Sequence, residues 1–409
     1  MGGRLLFLCH RIPFPPEKGE KIRAWHMLEH LARDWAIDLG CLVDDRADFD
    51  HVPALKQVCA SVEARWTGTR LQAASRALMQ VRPGRPLSLG WFRDPGLRAW
   101  TAEHLAGGRH DAVFVYSSAM APYVMGAQRP GLRRVLDMVD VDSEKWRAYA
   151  TSARPPMRQV WAREARTLLA FERKAAADFE RTLFVSAAEA EHFSALAPEC
   201  AGKVDHVDNG VELSRFDPDV PRENPYPAGR RALVFTGTMD YRPNVEAVSW
   251  FAREVMPLIA DADFHIVGAN PSPAVRALAQ LRGVHVTGTV PDVRPYLAYA
   301  DVAVAPLRIA RGIQNKVLEA MAMARPVVAS PEAFEGVRAM AGRDVLVAQG
   351  AFETAQRVRE VLDGAHPKLG AAGRLAVLSG HDWRATLQRL DLAMDPTPDR
   401  LSLRERVVA

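Results

Sequence analysis

The chain has 409 residues, 48% of them apolar and 25% charged, and a formal net charge of +4. This is the composition of a soluble globular protein with enough material for two cores, and the length favours two domains. The mild positive charge suits anionic ligands or an anionic membrane surface and is too weak to argue for nucleic acid.

In chain order, residues 4–9 read as a first strand. That apolar run is too short for a signal-peptide core, and no window approaches the roughly 20 apolar residues of a membrane span. A cytoplasmic location is therefore expected, with attachment to the inner membrane face left open. The loop from Ile12 to Glu20 contains Lys18 and Gly19 and leads to a helix with Ile22, Trp25, Leu28 and Leu31 on one side. Residues 36–43, 112–116, 133–139 and 182–186 are further strand candidates, and 157–179 reads as one long helix. A second series of strands falls at 232–236, 263–267, 284–287, 301–305, 326–330 and 344–348, with helices at 244–256, 272–281 and 351–362 between them. Alternating buried strands and amphipathic helices predict parallel α/β sheets. The proline-rich passage from Asp217 to Pro227 reads as the domain junction. A last helix, around Trp383–Met394, is expected to return to the first domain. The expected division is 1–208, 209–382 and a C-terminal helix and tail, 383–409. The cysteines Cys9, Cys41, Cys59 and Cys200 form no CxxC pair, and Cys9 and Cys41 sit in apolar runs as core thiols of a reducing compartment.

The most informative segment runs from Gly312 to Ser330. It reads as a loop, a helix starting near Ile313, and a buried strand. Lys316 and Glu319 share one face of that helix. Its free amides and the lysine suit a phosphate, and the carboxylate suits the hydroxyls of a ribose. An ordinary α/β connection with solvated charges is the competing reading. The segment Phe235–Val245 also joins a strand end to a helix start, with Pro243 and Asn244 read as first-turn and cap-like residues. Gly237 there would let a ligand approach the backbone, and Thr238, Arg242 and Asn244 could touch a diphosphate; a plain capped turn explains Pro243 and Asn244 equally well. The Gly19 loop lacks a G-x-G-x-x-G fingerprint, which argues against a nicotinamide dehydrogenase.

Asp140-Val141-Asp142 has the i, i+2 spacing at which two carboxylates ligate Mg²⁺ with a diphosphate. Capping of the helix that follows competes with that reading, and a carboxylate lining an acceptor side is preferred. His26 and His30 fit H-x-x-E-H, but no third zinc ligand can be nominated. Arg154, Arg158, Arg163, Arg166, Arg173 and Lys174 lie along the long helix beside Trp161 and Phe171. They suit anionic lipid headgroups, or a salt-bridged solvated face formed with Glu164, Glu172 and Asp178.

Several strings now stand in a familiar order: Val207–Glu212, the Gly237 loop, Phe264–Gly268, Val286–Val290 and Lys316–Ser330. In this they resemble the retaining glycosyltransferases of family 4, with the GT-B fold of two facing Rossmann-like domains and an interdomain cleft. More narrowly, Thr236–Val245, Ala305–Lys316 and Asp137–Trp146 are similar to strings of the sugar transferases associated with PEP-CTERM exopolysaccharide loci. The resemblance implies metal-independent, hexosyltransferase-type transfer with retention, from a nucleotide-diphosphate sugar to a glycan or lipid-linked acceptor, with no cofactor. It implies that Glu319 holds the donor ribose, that Gly312, Ile313, Gln314 and Asn315 offer amides, and that Lys316 contacts phosphate. Gly268 and Val290 would line the nucleobase, and Gly19 would face the diphosphate and acceptor. The chain departs from the pattern at Arg311, where the first glutamate of E-x7-E falls, and Arg311 would instead add charge near the leaving group. Gly237-Thr238 and Arg242 or Asn244 replace the usual Gly-Arg and lysine grip on the diphosphate, and Asp140 stands where many members carry a histidine and would orient the acceptor hydroxyl. A sugar-nucleotide epimerase or phosphorylase on the same scaffold, or a non-catalytic glycan- or lipid-binding scaffold, remain alternatives.

Overall fold

The structure is a computed structural model that describes residues 3–16, 19–69, 71–72, 75, 84–310 and 312–395. Lys18, Arg311 and the tail after Asp395 lie outside the described residues. The chain divides into two compact units, one running to Asp208 and resuming at Leu387, the other spanning Asn209–Thr386.

The first unit holds seven strands: β1 (Arg4–Cys9), β2 (Ala36–Val43), β3 (Ser61–Trp66), β4 (Ala112–Tyr116), β5 (Arg133–Val139), β6 (Arg181–Phe184) and β7 (Val204–His206). They form one sheet in the order β3-β2-β1-β4-β5-β6-β7, and every pairing is parallel. A parallel sheet is covered on both faces, so its central strands must be apolar throughout. Leu5, Leu6, Phe7 and Leu8 of β1 and Val113, Phe114 and Val115 of β4 are accordingly fully buried.

The second unit repeats the plan with β8 (Arg231–Thr236), β9 (Ala262–Val267), β10 (Val284–Gly288), β11 (Val302–Ala305), β12 (Val327–Ala329) and β13 (Leu346–Val347). Their order is β10-β9-β8-β11-β12-β13, again parallel. In each unit the strand order reverses beside the first strand, between β1 and β4 or between β8 and β11. Such a reversal opens a crevice beyond the carboxyl ends of those strands.

Three expectations are corrected. The proline-rich passage is part of the second unit, because Phe216 and Tyr226 are buried in its core and the Tyr226 hydroxyl donates to the Tyr296 carbonyl at 2.6 Å. The helix expected at 244–256 runs from Arg242 to Trp250, followed by a wider turn over Phe251–Val255. The last helix is two: Trp383–Thr386 lies in the second unit and Gln388–Met394 in the first. The latter is fixed by polar bonds. Arg389 reaches Asp205 at 3.0 Å, Arg133 donates to the Ala393 carbonyl at 2.8 Å, and His30 meets Asp391 at 2.7 Å. His30, read above as half of a possible zinc pair, thus has a bonding role within the first unit. All four cysteines are buried, free thiols.

The buried arginine of the Gly19–Leu31 helix was not foreseen. Arg23 is 1% exposed, donates to Asp137 of β5 at 2.9 Å, and reaches the Val207 carbonyl at 2.6 Å. The other Asp137 oxygen accepts the Val139 amide at 2.9 Å. One guanidinium therefore ties the first helix to β5 and to the segment after β7. Removing one partner of such a pair leaves a buried charge uncompensated. Arg23→Ala should lower stability by about 3–5 kcal/mol in denaturant unfolding, and replacing Arg23 and Asp137 together by Met and Leu should cost clearly less than the single change.

Candidate functional site

In the second unit, the carboxyl ends of β8, β9 and β10 are laced by main-chain bonds. The Gly237 amide donates to Val267 at 3.1 Å, the Gly268 amide to Gly288 at 3.2 Å, and the Met239 amide to Ala269 at 2.7 Å. Gly237 has φ of 154° and Gly268 of 147°, values that a side chain disfavours. A Cβ on Gly268 would stand 1.8 Å from the Gly237 carbonyl oxygen, so the two loops touch backbone to backbone. A Cβ on Gly237 would stand 2.7 Å from the Asn244 side chain.

Asn244 is not a cap. The Arg242–Trp250 helix starts after Tyr241 with no side-chain cap, and Pro243 and Asn244 lie within its first turn. The Asn244 amide reaches back to the Thr238 carbonyl at 2.9 Å, and its oxygen accepts from Lys316 at 3.2 Å. Asparagine thus joins the loop after β8 to the helix after β11. The Lys316 ammonium also lies 5.2 Å from the centre of the Phe235 ring.

The helix carrying Lys316 begins at Asn315 rather than Ile313, and Gln314 stands before it without capping it through its side chain. Gly312 turns the chain with φ of 63°, and the Gln314 side chain folds back to the Gly312 carbonyl at 3.1 Å. Ile313 is buried, as are Val317, Leu318, Ala320 and Met321. Asn315 accepts from Asn209 at 3.2 Å. Burial pushes Lys316 down to about 8, against the opposing pull of Glu319. Burial likewise raises the Glu319 carboxyl above its usual range, against Lys316 and Arg215. Both groups are held short of full solvation, where an anion for the lysine and a hydrogen-bond donor for the carboxylate would stabilise them. Gly237, Gly268, Asn244, Asn315, Lys316 and Glu319 are therefore parts of one strand-end surface. Thr238 and Val290 are half-buried beside it, and Arg242 is exposed.

The first unit carries Gly19 and Asp140. Gly19 is exposed at the start of its helix. Asp140 follows β5 across a strained link, Val139, whose φ of 69° is an outlier for a β-branched residue. Two carboxylates hold the loop after it. Glu189 accepts the Val141 amide at 2.9 Å, and Glu172 accepts the Ser143 hydroxyl at 2.6 Å and its amide at 3.2 Å. The following helix starts at Asp142 itself, so Asp142 does not cap it. Burial, with Glu189 and Asp142 adding repulsion, pushes Asp140 up to about 8. Burial also pushes Glu172 up to about 8. A protonated Asp140 at neutral pH can donate a hydrogen bond; once ionised it can accept a proton from a hydroxyl.

His10, passed over in the sequence, directly follows β1 beside the strand-order reversal. Its ring stacks on Tyr116 with centres 5.8 Å apart, and its buried Nδ1 has no hydrogen-bond partner among the described residues. Burial pushes it down to about 4, which keeps the ring neutral. The signal available was a polar residue directly after the first strand.

The long helix, Met157–Asp178, corrects a further expectation. Its acids turn inward rather than forming a salt-bridged outer face, and the one pair of the expected kind among the described residues is Arg163–Glu164 at 3.8 Å. Glu164 is buried and accepts the Leu87 and Ser88 amides, both at 2.8 Å; Glu172 is turned to Ser143; and Asp178 accepts from Arg134 at 2.9 Å. Arg154, Arg158, Arg166 and Lys174 are exposed. Arg173 does pair outside the helix, with Glu199 at 2.7 Å. Trp161 stacks on Trp146 with centres 4.9 Å apart.

Residues 230–364 match the family profile described as glycosyl transferases group 1. No curated protein sequence matches the chain. Among solved structures, a sucrose-phosphate synthase from Thermosynechococcus elongatus is 18% identical, with a TM-score of 0.71 over 95% of this chain and 98% of that one. Anabaena Alr3699/HepE, in complex with UDP and glucose, is 13% identical, with a TM-score of 0.64 over 95% and 98%. WaaG, a glycosyltransferase involved in lipopolysaccharide biosynthesis, is 14% identical, with a TM-score of 0.63 over 95% and 99%. The fold, two Rossmann-like α/β units, is that of GT-B glycosyltransferase structures.

The raised carboxyls of Asp140 and Glu172 set a pH dependence. A carboxyl whose folded pKa exceeds its unfolded one stabilises the fold below the unfolded value and loses that contribution as pH rises through the folded value. The contribution of these two groups to stability should therefore fall between about pH 4 and pH 8. Asp140→Asn with Glu172→Gln should flatten that decline when denaturant midpoints are followed against pH.

Proposed function

We propose that the chain is a retaining, hexosyltransferase-type glycosyltransferase that moves a sugar from a nucleoside-diphosphate donor to a glycan or lipid-linked acceptor in exopolysaccharide synthesis. The observation that carries this reading is the Lys316–Asn244 contact at 3.2 Å, set over the touching main chains of Gly237 and Gly268. It lies at the side-chain-uncapped start of the Asn315–Ala322 helix, one turn before Glu319. The match of residues 230–364 to group 1 glycosyl transferases covers these elements, and one structure of the same fold holds UDP and glucose.

On this reading the diphosphate lies against Lys316 and the main-chain amides of Gly312 to Asn315, with Gly237, Thr238, Arg242 and Asn244 beside it. Gly268 and Val290 border the base, and Glu319 accepts from the ribose hydroxyls. As the bond from sugar to diphosphate breaks, negative charge grows on the leaving oxygen. Lys316 and the helix amides are already oriented towards it, so little reorganisation is needed at that moment. Arg311 adds charge near the same oxygen. On the first unit, Asp140 orients the acceptor hydroxyl, and Gly19 serves the acceptor side. No metal is needed, because cationic and amide groups take the diphosphate charge.

Lys316→Ala should lower kcat/KM on the order of 10²-fold with a nucleotide-sugar donor. In the unaltered protein kcat/KM should fall as pH rises through about 8, where free Lys316 loses its charge, and the variant should lack that limb. Unchanged turnover in Lys316→Ala would remove the lysine from the mechanism. Loss of activity on chelation would restore the Asp140/Asp142 metal reading. Donor consumption without any acceptor would favour an epimerase or phosphorylase, and no calorimetric response to UDP or GDP would favour a scaffold.

The outward cations of the long helix support peripheral contact with an anionic membrane face, where a lipid-linked acceptor would be presented. The chain should co-sediment with phosphatidylglycerol vesicles and not with phosphatidylcholine ones, and added salt should release it. Arg158→Gln with Arg166→Gln should weaken that binding by roughly 1 kcal/mol per residue removed.

A further inference from the structure

We infer that the second unit carries a transition-metal site built from Asp263, His265 and His285, independent of the proposed donor surface. Asp263 and His265 are two residues apart on β9, so their side chains leave the same face of the sheet. His285 lies on the edge strand β10 and is the direct register partner of His265. One nitrogen or oxygen from each of the three residues lies within 4.8 Å of the others. The His285 Nε2 stands 3.3 Å from the second Asp263 oxygen.

The donor set is two imidazoles and one carboxylate. Mixed nitrogen and oxygen ligands of this kind select Zn²⁺, Co²⁺ or Ni²⁺ over Mg²⁺ or Ca²⁺, which prefer oxygen alone. His265 is the buried member of the pair of imidazoles. Tyr226 packs on it with ring centres 4.5 Å apart and fixes its position. The His265 and His285 rings stack with centres 4.6 Å apart and planes 14° from parallel. Parallel planes at that spacing cannot both contain one ion, so binding requires one ring to turn. His285 is the ring with room to do so, because its side chain is 48% exposed.

One group opposes the cation. The Arg230 guanidinium donates to the first Asp263 oxygen at 2.6 Å and to the Ala262 carbonyl at 3.1 Å. It orients the carboxylate and also places a positive charge beside the site. The ion and Arg230 thus compete for one aspartate, which gives a test that a purely structural cluster would not pass.

Asp263 precedes Gly268 by five residues along an extended segment, roughly 16 Å. The site is therefore remote from the donor surface, and its occupation would join the edge strand β10 to its neighbour β9. Calorimetry with the full chain, tag-free and titrated with Zn²⁺, should show one site, and Co²⁺ should give visible absorption of a nitrogen- and oxygen-bound ion. His285→Ala should weaken Zn²⁺ binding at least about 100-fold, beyond the usual loss of an outer partner. Arg230→Gln should tighten it roughly fivefold by removing a neighbouring charge. Zn²⁺ should raise the Tm of the unaltered chain and not that of His285→Ala. Absence of Zn²⁺ binding, or equal affinity in the unaltered chain and both variants, would overturn the assignment.

Discussion

Where the chain leaves β8 and β9, two stretches of main chain lie in contact, and the candidate site depends on that contact. The Gly268 α-carbon faces the Gly237 carbonyl with no space for a single added carbon. Loops so close leave no room for side chains between them. The gap is bordered by Asn244, which holds Thr238 on one side and Lys316 on the other. Small residues set the shape, and longer polar residues on the two following helices supply the charge.

Incomplete solvation governs the electrostatics of both units. Lys316 is pushed down, and Glu319, Asp140 and Glu172 are pushed up, with burial the largest cause for each. Such groups cost stability in the absence of a partner and become favourable once a complementary charge or donor arrives. The first unit meets part of that cost with main-chain amides, which Glu189 and Glu172 accept beside Asp140. It also holds Val139 in a conformation that a β-branched residue resists. Backbone strain of this kind persists where surrounding contacts over-determine it, and here the Asp137 carboxylate, itself held by Arg23, takes the Val139 amide.

Strands buried on both faces were legible because they are unbroken apolar runs; β1, β2, β4 and β5 have the bounds expected of them. β3 escaped because Glu63 and Arg65 interrupt it and all six of its residues are half-buried, while β7 is only three residues long. The Lys316 helix was legible from its glycine, lysine and glutamate. Its coupling to Asn244 was not, since a Pro-Asn pair at a helix start reads as capping whether or not the side chain turns elsewhere. Arg23 was missed because its helix offered Ile22 and Trp25 as an apolar face, and sequence periodicity cannot show a buried arginine that has found a carboxylate. The inward glutamates of the long helix were hidden for a related reason. Their partners lie far away in the sequence: the Leu87 and Ser88 amides for Glu164, and the Ser143 hydroxyl and amide for Glu172.

The helix Gln388–Met394 is among the last described elements of the chain, yet it completes the unit that begins it. His30, Arg133 and Asp205 acquire their bonds to it only after more than the whole of Asn209–Thr386 has been made. During vectorial synthesis the first unit therefore has all seven of its strands before the second is made, and gains this covering helix only after it.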